Sequence, residues 1–237
     1  MTPVAPNVAG NWQFSAVSNV SGNPFTFAGA ISQAGSMAAA ALHVDGSSCF
    51  NQLTTMGLTG SVTADSTSLT STALNGQVVT FTGHFTDSTF TGTYSVNGGC
   101  AAGDQGSVTG VAIYIADADS WGGTFTSSAK TMFTVGGNFV QSASASSTGS
   151  FAINGTATFD TPCFSPATLS PGSFPSDSFI LGTLVSFEIK TDNGTVTFVG
   201  TTDTPVNGTI RGAYTVSGGS CDQTGTAVLI LTGQWDY

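Results

Sequence analysis

Few residues in this chain could begin a reaction. It carries two histidines, His43 and His84, and a single glutamate, Glu188, on a background dense in Ser and Thr. None falls in a catalytic spacing: there is no H-E-x-x-H, no G-x-S-x-G and no phosphate-binding glycine loop. A hydroxyl nucleophile needs a base within hydrogen-bond reach and a third group to orient that base. No acid close in sequence to either histidine fills the third role. His84 lies on the outward side of the run that turns Val79 and Phe81 inward. His43 shares the parity of Met37 and Ala39 and aligns with Ala157, and it reads as a histidine near a strand end that donates to a backbone carbonyl. Asp104-Gln105-Gly106 and Asp222-Gln223-Thr224-Gly225 each offer one carboxylate, too few for a hard cation that wants several oxygens, and they read as turns. No catalytic residue, metal ligand or cofactor is assigned.

Residues suited to holding a ligand are easier to find. Gln33 and Gln141 each end an apolar row with an amide that needs partners. Tyr94 and Tyr214 could add hydroxyls, and Trp12 and Trp121 an aromatic wall. These six are the candidate ligand-binding residues. The competing reading is that a narrow barrel simply fills itself with such side chains.

The candidates come in pairs because the chain repeats itself. FTFAGAISQ (25–33) returns as FTVGGNFVQ (133–141), and VTFTG (79–83) as VTFVG (196–200). FTGTYSVNGGC (90–100) matches IRGAYTVSGGSC (210–221) with one residue added before the cysteine, and Gly35 to Phe50 aligns without a gap on Gly149 to Phe164. The expected organisation is a lead at 1–9, one domain at 10–116 and a second at 117–237, joined through Ala116–Ser120. The cysteines follow the repeat. Of the three pairings open to four cysteines, duplication selects one bridge per repeat, Cys49 with Cys100 and Cys163 with Cys221. Zinc would need close cysteine pairs or supporting histidines, so disulfides and an oxidising compartment are expected.

Composition sets the partners. Only 7% of residues are charged, and three cations (Lys130, Lys190, Arg211) face thirteen acids for a net charge of −10. Counterion release on nucleic acid needs clustered cations, so nucleic acid is excluded as a partner, and anionic membrane surfaces are disfavoured. No apolar run approaches the roughly 20 residues of a spanning helix. The residues after Met1, Thr-Pro-Val-Ala-Pro-Asn, lack the apolar centre of an export signal. That signal is expected to have been removed, leaving 1–9 as a tether to a cleavage site or lipid anchor.

Period two dominates both halves, which predicts an all-β chain. In the first repeat strands are expected near 10–17, 25–33, 36–44, 55–63, 66–74, 77–86, 89–96 and 106–115. Asn75-Gly76 between two runs is a type I′ hairpin signal. Eight sequential hairpin-linked strands avoid exposed edges by closing, so two tandem eight-stranded antiparallel up-and-down β-barrels are predicted, with two β-sandwiches as the alternative. Phe25, Phe27, Gly29 and Ile31 should face inward, with Phe90, Gly92, Tyr94 and Val96. The loops with Cys49 and Cys100 share one end, so a cavity is expected at the other. Asn19-Val-Ser21, Asn154-Gly-Thr156, Asn193-Gly-Thr195 and Asn207-Gly-Thr209 fit the glycosylation pattern, but the three Asn-Gly pairs read mainly as turns.

Gly10-Asn11-Trp12 resembles the G-x-W that opens the first strand of lipocalin-like and avidin-like barrels. The second repeat has Trp121-Gly-Gly-Thr-Phe125 instead. The whole series of G-x-W, F-x-x-x-G-x-x-x-Q, C-F, F-x-G-x-Y and a cysteine followed by D-Q-G resembles secreted lipoproteins of the kind found in acidobacteria. That resemblance implies a barrel-like fold and a secreted, periplasmic or cell-surface location, lipid-anchored in some cases, and no activity. The expected function is therefore non-enzymatic binding of a small apolar or amphipathic ligand in a barrel. The alternative is a structural or adhesive surface module that self-associates through its faces or strand edges.

Overall fold

The computed structural model describes residues 4–113, 118–202 and 208–232. Its described residues are organised entirely as strands, turns and loops, in two compact units. One comprises Met1–Ile113 with Ser147–Gly149, the other Tyr114–Ser146 with Ser150–Tyr237. The expected junction at 116–120 lies partly outside the described residues; its last three residues belong to a strand.

The first unit runs β1 (Gly10–Ser18), β2 (Pro24–Ala34), β3 (Met37–Asp45), β4 (Met56–Val62), β5 (Thr67–Ser71), β6 (Val78–Phe85), β7 (Thr89–Asn97) and β8 (Gln105–Ala112). Each strand pairs antiparallel with the next, and β1 pairs with β8 from Trp12–Ala112 to Ser18–Gly106. That closure makes a barrel and excludes the sandwich. Asn75 and Gly76 both have positive φ, 51° and 77°, as the I′ turn between β5 and β6 requires.

The second unit runs β9 (Ala118–Ser127), β10 (Met132–Gln141), β11 (Phe151–Phe159), β12 (Ala167–Thr168), β13 (Phe179–Leu181), β14 (Leu184–Thr191), β15 (Gly194–Thr202), β16 (Thr209–Ser217) and β17 (Gln223–Thr232). Eight of these close a ring through the β9–β17 and β10–β11 pairings. β12 and β13 share one flank of β11: β13 pairs with Phe151 and Ala152, and β12 with Thr156 and Ala157.

Alternation places the core. Phe25, Phe27, Ile31, Val79, Phe81, Phe90, Tyr94 and Val96 are buried in the first barrel, and Phe125, Phe133, Val135, Phe139, Ile210, Tyr214 and Val216 in the second. Thr59, Thr70, Thr82, Thr91, Thr93 and Thr109 face solvent on the first barrel. Apolar inside and hydroxylated outside is the reverse of a lipid-embedded barrel. No described helix is long and apolar enough to cross a membrane. Gly29, with φ +152°, shows why the inner row needs glycine: a Cβ there would lie 2.0 Å from the Ala41 carbonyl oxygen. Its counterpart Gly137 meets the Thr156 oxygen in the same way.

Two sequence expectations need correction. The gapless alignment equates His43 with Ala157, but β2 pairs Gly29 with Leu42 while β10 pairs Gly137 with Ala157. Ala157 therefore corresponds to Leu42 and faces inward, fully buried. A one-residue slip exchanges faces, and the longer connection between β10 and β11 produced it. Asn154-Gly155 is likewise no turn, since both residues lie inside β11, whereas Asn193-Gly194 does form one, between β14 and β15. Asn207 lies outside the described residues.

Candidate functional site

The first barrel is solid. An aromatic chain crosses its interior from Trp12 to Tyr94: Trp12–Phe85 centroids are 4.9 Å apart, Phe85–Phe90 4.6 Å, Phe27–Phe81 4.9 Å and Phe25–Tyr94 5.1 Å, with Phe14 touching Trp12, Phe81, Phe85 and Phe90. Both ends of that chain are tied down.

At the Trp12 end the chain's own lead is the lid. Val8 is 1% exposed and joins the core. Its carbonyl accepts from Trp12 Nε1 at 2.8 Å, and its N–H donates to Gln33 Oε1 at 2.8 Å. Gln33 Nε2 donates to the carbonyls of Pro6 (3.0 Å) and Gly35 (2.9 Å). From Pro6 onward the expected tether is thus part of the barrel. Trp12 and Gln33 are satisfied by backbone of the same protein, and the end expected to open is closed.

At the other end Tyr94 OH donates to Asp104 Oδ2 at 3.1 Å, and Ser18 Oγ donates to Asp104 Oδ1 at 2.6 Å. Burial, then the Asp104 hydrogen bond and its negative charge, push the Tyr94 phenol up to about 12. Asp104 is a clamp between β1, β7 and the turn into β8. The Cys49–Cys100 bridge stands at this end, with Cα atoms 5.5 Å apart. A polar cavity of about 280 Å³ opens beside it, lined in part by Ser18, Asn23, Phe25 and Asp104. The expected position of a cavity is thus inverted in this barrel.

In the second barrel the corresponding side chains are in place but their partners are not. Trp121 pairs with Gly137 as Trp12 does with Gly29, and Gln141 follows four residues along β10 as Gln33 follows on β2. Trp121 Nε1, Gln141 Oε1 and Tyr214 OH are all buried without a hydrogen-bond partner. Thr67 Oγ1 is the other such atom among the described residues. The cause at Tyr214 can be read from register. β7 sets Tyr94 against Gly106, and β16 sets Tyr214 against Gly225. Thr224 lengthens the second D-Q-G, so Gln223 occupies the place of Asp104. Asp222 instead accepts from the Gly219 N–H at 2.8 Å. Burial alone raises the Tyr214 phenol. At Trp121 a register shift between Gly137 and Phe139 gives β9 one residue more than β1 along the same stretch of its neighbour. Aromatic contacts link Trp121 to Tyr214 through Phe187, Phe198 and Phe125, so these groups mark two ends rather than one bore. The Cys163–Cys221 bridge also forms, with Cα atoms 6.1 Å apart.

The histidines stand apart from this. His84 faces outward and is exposed. His43 lies on the outer face yet is 4% exposed, with Nδ1 3.0 Å from the Gln52 carbonyl and Nε2 2.7 Å from that of Thr148. It joins the β3–β4 loop to the 147–149 segment of the same compact unit. Among the described residues, no three His, Cys, Asp or Glu side chains gather as a metal site.

An outer groove of about 740 Å³ crosses the second barrel over β17, β9, β10 and β11, where Gly122 pairs with Gly136 between Thr124, Thr158 and Ile230. Asp160 borders it, its carboxyl held below the usual range by the Thr134 backbone N–H. No family model, no curated protein and no solved structure matches this chain.

Proposed function

We propose that this chain is a non-enzymatic, secreted or lipid-anchored envelope protein whose first barrel is a filled structural unit and whose second holds a small apolar or amphipathic ligand at an end. The two intramolecular disulfides are compatible with such a location. One observation carries the reading: Trp121 Nε1, Gln141 Oε1 and Tyr214 OH are buried and unpartnered, while Trp12, Gln33 and Tyr94 are all satisfied. A buried polar atom without a partner costs about 1–3 kcal/mol, and three within one barrel call for an explanation. A ligand carrying a few polar atoms on an apolar body would supply the missing partners at the end it occupies.

Native mass spectrometry of protein purified without denaturation tests this. A retained mass, released by organic solvent and absent after Trp121→Phe with Tyr214→Phe, is expected. A bare mass together with no uptake of a hydrophobic fluorescent dye would remove the reading. That outcome, with oligomers present, would favour a solid structural or adhesive module, which the aromatic filling of both barrels supports. Strand edges offer such a module little, because each closed ring pairs its strands on both sides.

A further inference from the structure

The first barrel shows what the Trp/Gln pair recognises, because it is occupied there. Trp12 and Gln33 bind opposite ends of one residue: the indole N–H takes the Val8 carbonyl, and the glutamine oxygen takes the Val8 N–H. Between them the isopropyl group is buried on the core at 1% exposure. Gln33 Nε2 extends the grip to the Pro6 carbonyl two residues earlier. This is main-chain recognition, a donor and an acceptor matched to one extended residue, with an apolar seat for its side chain.

Resting on the reading above, we infer that the Trp121 end of the second barrel is a binding site for an extended, uncharged peptide segment with a small branched side chain, held through its backbone as Pro6–Val8 is held in the first. Three observations support it. Trp121 is 3% exposed and its Nε1 is unpartnered; Gln141 Oε1 is unpartnered too. The two sit in the register of Trp12 and Gln33, on β9 and β10 in place of β1 and β2. The third is the occupied pair itself: in the first barrel Trp12 Nε1 and Gln33 Oε1 are met by the carbonyl and the N–H of one residue, Val8. The missing partners are thus an acceptor for Trp121 Nε1 and a donor for Gln141 Oε1, the pair that the backbone of Val8 supplies in the first barrel and that a simple lipid chain lacks. Tyr214, at the other end, takes no part.

The probe is the chain's own lead as a free peptide, acetylated and amidated residues 2–9, added to the full-length protein labelled with nitrogen-15. The indole N–H signals report directly, assigned by Trp→Phe variants. Saturable movement of the Trp121 indole signal is expected, with the Trp12 signal still. Gln141→Met, close in volume, should weaken binding about tenfold, the cost of one hydrogen bond to a buried acceptor, as should a peptide with aspartate in place of its branched residue. A Trp121 signal unmoved by millimolar peptide, or a response confined to Trp12, overturns the inference. If Gln141→Met fails to fold, the aspartate peptide decides the same point on the unaltered protein. A ligand or dye retained by a protein whose Trp121 signal ignores the peptide refutes the peptide assignment and leaves ligand carriage standing; loss of both removes the two together.

Discussion

Trp12 and Trp121 share a pairing position and a deep burial, pack on different aromatic rings, and differ in one hydrogen bond. That difference predicts unequal responses to the same substitution. Trp12→Phe leaves the Val8 carbonyl without its donor and should cost about 1–3 kcal/mol in a denaturant titration, whereas Trp121→Phe removes an unsatisfied donor and should shift stability by under about 1 kcal/mol. Equal losses would mean that the indole of Trp121 is already partnered. Tyr94 makes a pH prediction of definite sign. Its phenol is raised from 10.0 to about 12, so the folded state holds that proton more tightly than the unfolded state does. The stabilisation is full below about pH 10 and drains away as pH rises through about 12. Comparing denaturant midpoints of the protein and Tyr94→Phe across that window should show the steeper fall in the parent, and Tyr214, common to both, cancels. Parallel curves would contradict a buried Tyr94–Asp104 pair.

At the scale of elements, period two and Asn75-Gly76 made the strands of the first barrel readable to within a few residues, and the repeated Phe rows told inside from outside. What stayed hidden depended on partners distant in sequence. Nothing local marks Pro6–Val8 as a lid, because its hydrogen bonds reach Trp12 and Gln33 on two different strands. Nothing local places Thr148 over His43, and the slip at Ala157 is invisible until β10 and β11 are paired. All six ligand-binding candidates were legible as residues that must find partners; which three had found them was not. The turn before β17 gives a constructive test. With Thr224 lengthening the turn sequence, Gln223 stands where Asp104 stands in the first barrel. Gln223→Asp should hand Tyr214 a carboxylate acceptor, stabilise the protein by about 1 kcal/mol and raise the Tyr214 phenol further, read by ultraviolet titration of tyrosinate. An unchanged titration would show that the two turns do not superpose as register implies.

For the whole molecule, the question is whether duplication produced two folding units or one. Each ring closes on its own strands, each encloses its own aromatic cluster, and each has its own bridge, at sequence separations of 51 and 58. Cross-linking loops of that size withdraws unfolded-state entropy worth about 4 kcal/mol apiece in the chain-entropy model. A stabilisation of that kind acts on the unit whose unfolding opens the loop. Replacing Cys49 and Cys100 by serine should therefore speed amide exchange across β1–β8, and with it the 147–149 segment grouped with that barrel, while β9–β17 keep their protection. Replacing Cys163 and Cys221 should do the converse. Hydrogen-exchange mass spectrometry separates the halves peptide by peptide, in the presence of the Pro6–Val8 lead that closes only the first barrel. Loss of protection in both halves from either pair of substitutions would make the chain a single cooperative body, and the partnered and unpartnered Trp, Gln and Tyr groups of the two barrels would then have to be explained together.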